Sequence, residues 1–557
     1  MRRWLAIAVA IAVGVTWYSI LPASSVTLSP GDGSVPPVRG AIHVHTRRSD
    51  GTGTVEEVAA AASRAGLQFV IFTDHGDGTR GSDTPVYRSG VLCIDAVEIS
   101  TNGGHVVALD LPQTPFPLGG EAGDVIEDVR RMGGMSVAAH ADSPRRQLRW
   151  TDWSVDVDGL EWLNGDSQWR DEEWGSIGHA FLTYPFRRAA TLATLLDRPD
   201  DLMSRWDTLL QTRPVVAIAA ADAHARIGPG GDPYGRSFSL HLPAYEQVFR
   251  TFSIALPQIQ LKRDAREDAR SVVDAIRAGH VYSTIDALAA PGRFLFTASS
   301  GSHRALMGDA LPIDGAVRLN VESNAPAGSN IRLIADGKTI ASGGPPTLEY
   351  EAASSPAVYR VEIDVANAPG TTPIPWIVSN PIYVGGRAVP NSSKAPTISE
   401  TRSVYANGSV TDWRIEKSAR SEATLSAAPA VDGTQLLLRY GLGGTLAEGP
   451  YVAAVIATGP ELTRFTSVRF TARSMQPMRL TFQVRAAGND RRWGKSVYLE
   501  QMPRTVTIAF DQMLPLGDAT ERPVLEDVRD LLFVVDTVHT QQGASGQVWL
   551  DDISYVK

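Results

Sequence analysis

Two histidines, His43 and His45, stand one residue apart in the segment AIHVHTRRSDGTG of residues 41–53. The chain has 11 histidines among 557 residues, and several others also close apolar runs. These runs end in FTDH with His75, DAVEIS with Glu98, VAAH with His140, and AAADAHA with Asp222 and His224. Imidazole and carboxylate groups together are ligands that Zn, Mn and Fe accept in proteins. One such pair is a weak signal, but the whole set predicts a metal site.

The apolar runs that carry these residues alternate with helical patterns from about residue 39 to residue 292. The runs are continuously apolar, which is typical of parallel strands covered on both faces. The pattern indicates either an α/β barrel or a doubly wound sheet. In a barrel, the carboxyl ends of the strands converge on one mouth. Because every second side chain of a strand points the same way, we expect His43 and His45 on one face, and likewise Asp222 and His224.

With these motifs the chain resembles the polymerase-and-histidinol-phosphatase (PHP) superfamily. The resemblance covers residues 38–290 and rests on HVHTRRSDGTG, FVIFTDH, VEIS, GGHVVAL, MSVAAHAD, DGLEWLNG and AAADAHA, in that order. It implies a distorted (β/α)7 barrel with a site for up to three divalent ions of Zn, Mn or Fe, two of them bridged by Glu98. The residues that would bind these ions are His43, His45, Asp50, His75, Glu98, His105, His140, Asp222 and His224.

The same resemblance implies a metal-dependent hydrolase. Clustered divalent ions lower the pKa of bound water and supply hydroxide near neutral pH, and a phosphoesterase is the favoured activity. The predicted catalytic residues are Asp222, His224, Arg226 and Arg145, the two arginines being placed to bind phosphate oxygens. The alternative is a carbamate or ester hydrolase with the same metal site, because the chain is also similar to the exported branch related to carbaryl hydrolase. The expected substrate is a small-molecule or glycan-linked ester.

Other residues near these motifs are candidates for supporting roles. Glu161 and Asn164 close the run GLEWLN and could orient a ligand or the substrate. Asp74, beside His75, is expected to support the site rather than to bind metal. The stretch that follows is rich in aromatic residues, and its tryptophans either wall an apolar pocket or pack a helical insertion. These tryptophans are Trp162, Trp169 and Trp174.

The sequence changes character near residue 293, where short β patterns separated by Gly, Pro, Asn and Ser begin. Residues 293–385 are predicted to form a small β-sandwich, residues 386–402 a linker, and residues 403–557 a jelly roll. The last block resembles carbohydrate-binding modules, which implies a carbohydrate ligand. Trp413, Trp493 and Tyr498 either stack on sugar rings or fill the core. A second alternative function is therefore a glycan-binding surface protein with a non-catalytic barrel.

At the N-terminus, Arg2 and Arg3 precede an uncharged run from Trp4 to Leu21. Its roughly 18 residues approach the ~20 that span a bilayer, so residues 1–23 are expected to be a signal anchor or a signal peptide, followed by a linker over 24–38. The positive-inside rule then places the remainder in the periplasm or at the cell surface, tethered to the membrane if the segment is uncleaved. The net charge of −9 offers no basic surplus for nucleic acid.

Overall fold

The computed structural model describes residues 4, 18–29, 36–226, 242–386, 398–406, 410–430, 433–488, 490–517, 519 and 521–557. The chain divides into two compact units. The first comprises residues 1–76, 81–112 and 121–391, and the second comprises residues 77–80, 113–120 and 392–557. Among the described residues, no helix combines the length and the apolar character that crossing a membrane requires.

The first unit, up to residue 292, mixes short strands with helices. Its strands are β1 (Val26–Thr27), β2 (Val38–Val44), β3 (Phe69–Phe72), β4 (Val86–Arg88), β5 (Val91–Asp95), β6 (Val97–Thr101), β7 (Gly104–Leu109), β8 (Met135–Ala138), β9 (Gly159–Asn164), β10 (Val216–Ala220), β11 (Ser253–Leu256), β12 (Tyr282–Thr284) and β13 (Ala289–Ala290). Its helices are α1 (Val55–Arg64), α2 (Ala122–Arg131), α3 (Gly165–Arg170), α4 (Trp174–Thr183), α5 (Arg188–Ala193), α6 (Asp200–Leu210), α7 (Tyr245–Thr251) and α8 (Ala265–Ala278).

Several of these helices begin and end at capping residues that the sequence supplies. Thr54 and Glu57 form a capping box at α1, in which each side chain accepts a hydrogen bond from the backbone N–H of the other. Asp264 accepts two backbone N–H groups from the first turn of α8. Gly279 ends α8 with a φ of 78°, a left-handed conformation that glycine adopts without strain. The caps fix where the loops leave the helices.

Apart from β1 and β13, which pair with each other, the described strands of this part lie in two separate sheets and do not close into one barrel. One sheet has the order β10-β9-β8-β7-β6, and the other contains the path β12-β11-β2-β3-β5-β4. Parallel pairs such as β2 with β3 and β8 with β9 are mixed with antiparallel pairs such as β4 with β5 and β6 with β7. The predicted distorted (β/α)7 barrel is therefore wrong.

The reason lies between Val86 and Leu109, where β4, β5, β6 and β7 follow one another with no helix between them. A parallel crossover needs a dozen or more residues, so strands this close in sequence pair as antiparallel neighbours or pass to the other sheet. Strand accounts for 40% of the structure and helix for 18%. That balance is set mainly by residues 293–557, whose described part contains strands and no α-helix. Up to residue 292, it is the pairing of the strands that contradicts the barrel.

One apolar core lies between the two sheets and α8. Ile42 and Ile71 enter it from one sheet, Val107 and Ile218 from the other, and Ile276 from the helix. All five side chains are almost completely buried. The core therefore fixes β2, β3 and β10 relative to one another, and polar residues of the site lie at or just after the carboxyl ends of these strands.

Residues 293–385 continue the first unit with strands. They are β14 (Phe294–Ser300), β15 (His303–Leu306), β16 (Ala310–Leu311), β17 (Val317–Ser323), β18 (Asn330–Ala335), β19 (Lys338–Gly343), β20 (Thr347–Ala352), β21 (Ala357–Asp364), β22 (Ile377–Ser379) and β23 (Ile382–Val384). β15, β14, β17 and β20 form one antiparallel sheet. β22 pairs with β12, so the other sheet is continuous with the sheet that contains β2. The two sheets of residues 293–385 are therefore not a separate sandwich, because one of them continues into the sheet of the preceding residues.

The second unit is built from two six-stranded sheets. Its strands are β24 (Thr401–Tyr405), β25 (Trp413–Lys417), β26 (Glu422–Ala430), β27 (Gly433–Gly441), β28 (Tyr451–Ala457), β29 (Ser467–Ser474), β30 (Met478–Ala486), β31 (Arg492–Leu499), β32 (Arg504–Ala509), β33 (Leu514–Leu516), β34 (Val528–Asp536) and β35 (Ser545–Val556). One sheet contains β26, β27, β35, β29, β32 and β24, and the other contains β25, β28, β34, β30, β31 and β33. Trp413 and Trp493 are buried in the apolar core of this unit.

A buried ion cluster ties α6 and its preceding loop to β18 and β21 within the first unit. The carboxylate of Glu362 is fully buried and accepts hydrogen bonds from Arg198, Arg332 and Arg360. Arg360 also donates two hydrogen bonds to Asp207 of α6. Burial alone would raise the pKa of Glu362. The three guanidinium groups have the larger, opposite effect, and the pKa of Glu362 falls to about 2. The cluster therefore needs Glu362 ionised.

We expect Glu362→Gln to lower the free energy of unfolding by about 3–5 kcal/mol at pH 7, because it removes the buried negative charge that three arginines share and leaves each of them with one carboxylate partner. The folded-state pKa lies below the unfolded one, so this contribution is present at neutral pH and is lost as the pH falls from about 4.5 towards about 2. Urea unfolding of the wild type and the variant at pH 7 and pH 3 measures the difference, which should shrink at pH 3. Glu351→Gln, at an exposed pair with Arg318, is the control and should change stability little.

Candidate metal centre

Six imidazoles and three carboxylates meet at one edge of the first unit. Their donor atoms form overlapping groups in which every atom lies within 4.8 Å of the others. The groups are His45, Asp50, His75 and His224; His43, His45 and Glu98; and His75, Glu98 and His105. His140 and Asp222 join them, since His140 Nε2 lies 2.9 Å from Glu98 Oε1 and Asp222 Oδ1 lies 3.4 Å from His43 Nε2. Such clusters of imidazole and carboxylate can bind metal ions.

Glu98 is the hub of this cluster. Its Oε1 atom lies 2.7 Å from His105 Nδ1 and 2.9 Å from His140 Nε2. Its Oε2 atom lies 3.1 Å from His75 Nδ1, 3.2 Å from His45 Nε2 and 3.3 Å from His43 Nε2. One oxygen therefore faces two imidazoles and the other faces three, so the carboxylate can bridge two cations.

Three atoms at the centre of the cluster are buried without a hydrogen-bond partner: His43 Nε2, His45 Nε2 and Glu98 Oε2. Buried polar atoms are almost always paired, because an unpaired one costs about 1–3 kcal/mol. These three point at one another across 3.2–3.3 Å without hydrogen-bond geometry. Their types and positions fit a cation held between them.

The backbone at the strand ends departs from regular β geometry. His43 has a φ of 62° and Asp222 a φ of 44°, both in the left-handed region that residues other than glycine seldom adopt. The register of β2 against β3 shifts between Ala41 and Val44. His43 and His45 do meet at one centre, but not by simple alternation along a regular strand. They reach the same centre because the bulge at His43 turns its side chain.

Residues 221–225 lie beside the end of β2 and bring Asp222 and His224 to it. The backbone N–H of Ala221 donates to Ile42 O at 2.9 Å, and the N–H of His45 donates to Ala223 O at 3.1 Å. The ring of His224 stacks on that of His45 with 4.1 Å between centroids. This pairing joins two segments almost 180 residues apart in one ligand group.

Glu161 holds two of the histidines from outside the cluster. Its Oε1 atom lies 2.5 Å from His43 Nδ1, which leaves Nε2 of the same ring directed at the centre. Its Oε2 atom accepts the backbone N–H of His140 at 2.6 Å and the amide of Asn164 at 2.8 Å. A carboxylate on the far nitrogen of a ligand histidine fixes the ring orientation and increases its basicity.

The loop that carries Asp50 is held by Asp74 and Tyr245. Asp74 accepts hydrogen bonds from the N–H and hydroxyl of Thr46 and from the hydroxyl of Ser49, so it supports the site as expected. The Tyr245 hydroxyl lies 2.8 Å from His45 O and accepts the backbone N–H of Thr52. Nothing in the sequence pointed to Tyr245, because it lies 200 residues from His45 on α7 and matches none of the motifs.

Burial and charge act in opposite directions on the buried groups. Burial lowers the pKa of His43, but the charges of Glu161, Asp222 and Glu98 raise it well above its ordinary value. Burial raises the pKa of Glu98, but the neighbouring imidazoles lower it well below its ordinary value. The pKa of His140 rises to about 9 for the same reason as that of His43. The carboxylates thus favour positive charge at the centre, which a divalent cation supplies while the imidazoles stay neutral.

The side of the cluster near Asp50 is the more accessible one. The side chain of His75 is 37% exposed and that of Asp50 is 31% exposed, whereas His43 and Glu98 are buried. Burial raises the pKa of Asp50, but hydrogen bonds from His224, His45 and His75 hold it far below its usual range. Asp50 is therefore ionised and directed at the ring nitrogens that open to solvent.

An apolar cleft adjoins the cluster at Asp222 and His224. It is narrow, since the centre of a water-sized sphere can occupy only about 50 Å³ of it. Its apolar wall comes mainly from Trp169, Leu192, Leu195, Leu196, Val248 and Phe252, and Arg226 lies at its edge. Trp162, in contrast, is buried and donates to Ser283, and Trp174 is 88% exposed.

Of the two arginines predicted to be catalytic, Arg226 lines this cleft and Arg145 does not. Arg145 lies in the turn after His140, half-buried, and its backbone carbonyl accepts the N–H groups of Leu148 and Arg149. In that turn, Leu148 O lies 3.0 Å from His140 Nδ1. Residues 227–241, which follow Arg226, lie outside the described part of the chain.

The aromatic residues predicted to bind sugar lie mainly in the core of the second unit. Trp413 packs against Tyr405 and Phe533, with 5.7 and 5.9 Å between ring centroids. Trp493 is 2% exposed and its indole N–H donates to Glu521 O. Tyr498 is half-buried. The two tryptophans therefore fill the sandwich and are not available to stack on a ligand.

No family model matches the chain. Uncharacterized protein MJ1587 of Methanocaldococcus jannaschii is 30% identical over 138 residues, which is 22% of this chain and 80% of that protein. The family 11 carbohydrate-binding module of cellulosomal cellulase Lic26A-Cel5E of Clostridium thermocellum is 13% identical with a TM-score of 0.24, over 28% of this chain and 94% of that one. The family 30 module of a Clostridium thermocellum cellulosomal cellulase is 10% identical with a TM-score of 0.22, over 28% and 96%.

We expect Glu161→Gln to weaken metal binding ~10–100-fold, because an amide has one acceptor oxygen for the three donors that Glu161 now serves. The measurement is calorimetric titration of the chain with Mn²⁺ or Zn²⁺, with metal content after dialysis as a second readout. His280→Ala is the matched control, since His280 pairs with Asp309 outside the cluster. Equal affinity in the wild type and Glu161→Gln would contradict the orienting role.

Proposed function

The chain belongs to the same family as the Methanocaldococcus jannaschii protein, whose name states no activity, and we propose that it is a metal-dependent hydrolase. The observation that carries the proposal is the set of unpaired buried atoms at the centre of the cluster, His43 Nε2, His45 Nε2 and Glu98 Oε2. Structural sites surround their metal completely, whereas sites that act on substrates keep an open side. The exposed side at His75 and Asp50 is the open side that a site acting on substrates needs.

The cluster offers enough donors for up to three ions, and its mixture of imidazole and carboxylate suits Zn, Mn or Fe. Glu98 would be shared between two of them. Divalent ions bound there would lower the pKa of water and polarise an ester bond. The resemblance of the sequence motifs to the PHP superfamily supports the same activity.

The residues around the cleft favour an ester that carries an apolar group. Asp222 and His224 belong both to the cluster and to the wall of the cleft, so a substrate in the cleft lies against the ligand residues. Trp169, Leu195 and Phe252 would contact a small apolar substituent there. Arg226 at the same edge can donate two parallel hydrogen bonds to a phosphate. We therefore favour a phosphoester with an apolar substituent.

Hydrolysis of a carbamate or carboxylic ester is the alternative activity of the same site. It is favoured by the apolar character of the wall, to which Leu192, Leu196 and Val248 contribute. A neutral ester enters such a wall without the desolvation that a phosphate requires. The ligand residues serve either activity.

The test is turnover by the purified chain loaded with Mn²⁺ or Zn²⁺, with three substrates: bis-p-nitrophenyl phosphate, p-nitrophenyl phosphate and an aryl N-methylcarbamate. We expect metal-dependent phosphate-ester hydrolysis that falls to background in Asp222→Ala, because that change removes a carboxylate of the cluster. Asp274→Ala, at an exposed position of α8, is the control and should keep full activity.

Each substrate decides between the alternatives. Turnover of the carbamate with both phosphates inert would replace the phosphoesterase by the carbamate hydrolase and keep the metal site. Failure on all three substrates with metal bound would contradict the hydrolase proposal. Equal activity in Asp222→Ala and the wild type would contradict the assignment of this cluster as the active site.

A carbohydrate ligand for the second unit is a second candidate function. Trp549 is half-buried on the outward face of β35, with Gln547 and Asp551 two residues to either side on the same face. The Arg473 guanidinium lies 3.7 Å from the ring centroid of Trp549. An aromatic ring flanked by amide and carboxylate groups supplies the apolar surface and the hydrogen bonds that a sugar ring needs.

A glycan array probed with the whole chain tests this candidate. We expect Trp549→Ala to lose any glycan bound by the wild type, because the substitution removes the stacking surface. Tyr498→Ala on β31 is the matched control, also a half-buried aromatic residue, and should bind as the wild type does. Loss of binding in Tyr498→Ala alone would move the site to the other sheet, and an array without signal would remove the candidate.

A further inference from the structure

Helix α4 presents an apolar side to solvent. Trp174 is 88% exposed, Phe186 61%, Phe181 54% and Leu182 49%, and we call these four residues the aromatic face. Surface helices of globular proteins normally turn their apolar side to the core and their polar side to water. Here the buried residues of α4 are Ala180 and Thr183, and the large apolar side chains point outwards. The four side chains of the aromatic face therefore do not pack into the core of the first unit.

The aromatic face is also free of charge over its whole length. The segment WGSIGHAFLTYPF of residues 174–186 contains no Asp, Glu, Lys or Arg. Contiguous exposed apolar surface on a soluble protein marks a place where something else covers it. Tryptophan and phenylalanine are the side chains that favour the boundary between the acyl chains and headgroups of a bilayer.

The end of the N-terminal run lies beside this face. The ring nitrogen Nε2 of His179 lies 2.8 Å from the carbonyl oxygen of Ile20, and Arg187 donates to the carbonyl of Pro22. The Arg187 guanidinium also lies 5.7 Å from the ring centroid of Tyr18. α4 and the residue after Phe186 therefore hold the end of the uncharged run that extends from Trp4 to Leu21. Residues 5–17 of the run lie outside the described part of the chain, so it is the contacts of residues 18–22 that put its end next to the aromatic face.

The charges on either side of the aromatic face indicate whether its contact with a bilayer requires anionic lipid. Asp171, Glu172 and Glu173 precede the face, and Arg187 and Arg188 follow it. The acidic and basic side chains nearly balance, so attraction to anionic lipid contributes little. Contact then depends on apolar insertion, and a zwitterionic membrane meets that requirement.

We propose that the aromatic face of α4 docks the first unit onto a lipid bilayer beside the point where the N-terminal run enters it. The proposal uses neither the metal cluster nor the cleft, so it stands or falls separately from the hydrolase. It adds a second, peripheral contact to whatever anchoring the N-terminal run provides.

The chain offers a selective way to test this contact. Its single cysteine, Cys93, is buried, and burial raises the pKa of its thiol to about 11, so an added surface cysteine reacts preferentially. A nitroxide is attached to Phe181→Cys in the full chain reconstituted in phosphatidylcholine vesicles. Ser204→Cys, at an exposed position of α6, carries the control label. Collisions with oxygen, which concentrates in lipid, and with a water-soluble nickel chelate, which does not, are measured by power saturation.

We expect the ratio of oxygen to nickel accessibility at Phe181→Cys to exceed that at Ser204→Cys by about tenfold in vesicles and to fall when detergent replaces the lipid. Equal ratios at the two positions would place the face in water and overturn the proposal. A label shielded from both reagents, with or without lipid, would show that protein covers the face and would equally overturn it. Both labelled sites are exposed, so thermal unfolding of the two variants should match that of the wild type.

Discussion

The candidate site depends on one buried carboxylate. Glu98 faces five imidazoles, and without a carboxylate there the rings of His43, His45 and His140 would have no common partner within reach. Its own charge would be costly in the interior without compensating positive charge. Protonated imidazoles can supply part of that compensation, but they leave His43 Nε2, His45 Nε2 and Glu98 Oε2 unpaired. A cation between these atoms would pair all three, so a bound metal and the residues around it would stabilise each other.

The geometry of these residues is held in place by the scaffold at a cost in backbone strain. His43, His140 and Asp222 all have positive φ values, 62°, 31° and 44°, and such conformations cost about 1–3 kcal/mol each. Hydrogen bonds from the surroundings hold these conformations in place. Glu161 binds His43 and His140, and the backbone of Ala223 is hydrogen-bonded to that of His43 and His45. The apolar core behind β2 and β10 keeps both strand ends from relaxing. Strain and burial concentrated on ligand residues are typical of a functional centre.

The sequence indicated which residues belong to the site, but it did not predict how the strands pair or how the backbone turns at the site. Imidazole and carboxylate at the ends of apolar runs indicated which side chains to examine, since the end of a buried strand is where polar groups become accessible. The sheets were not predictable in the same way, because a short apolar strand looks alike in a parallel barrel and in a mixed sheet. The absence of helices between β4 and β7 was the available signal against a barrel. Simple alternation failed at His43 because a bulge cannot be read from composition, and Tyr245 left no signal because its role depends on a distant contact.

The segment between β9 and β10 forms both the apolar wall of the cleft and the aromatic face. It follows directly after Asn164, contains α3, α4, α5 and α6, and leads from the carboxyl end of β9, near Glu161, to the start of β10. One part of it, with Trp169 and Leu192, forms the apolar wall of the cleft, and another part forms the aromatic face. The donor atoms of the cluster come from other segments, apart from the orienting contacts of Glu161 on β9. Changes in this segment can therefore alter the group that the cleft accepts or the surface that the unit contacts, while the cluster around Glu98 keeps its geometry.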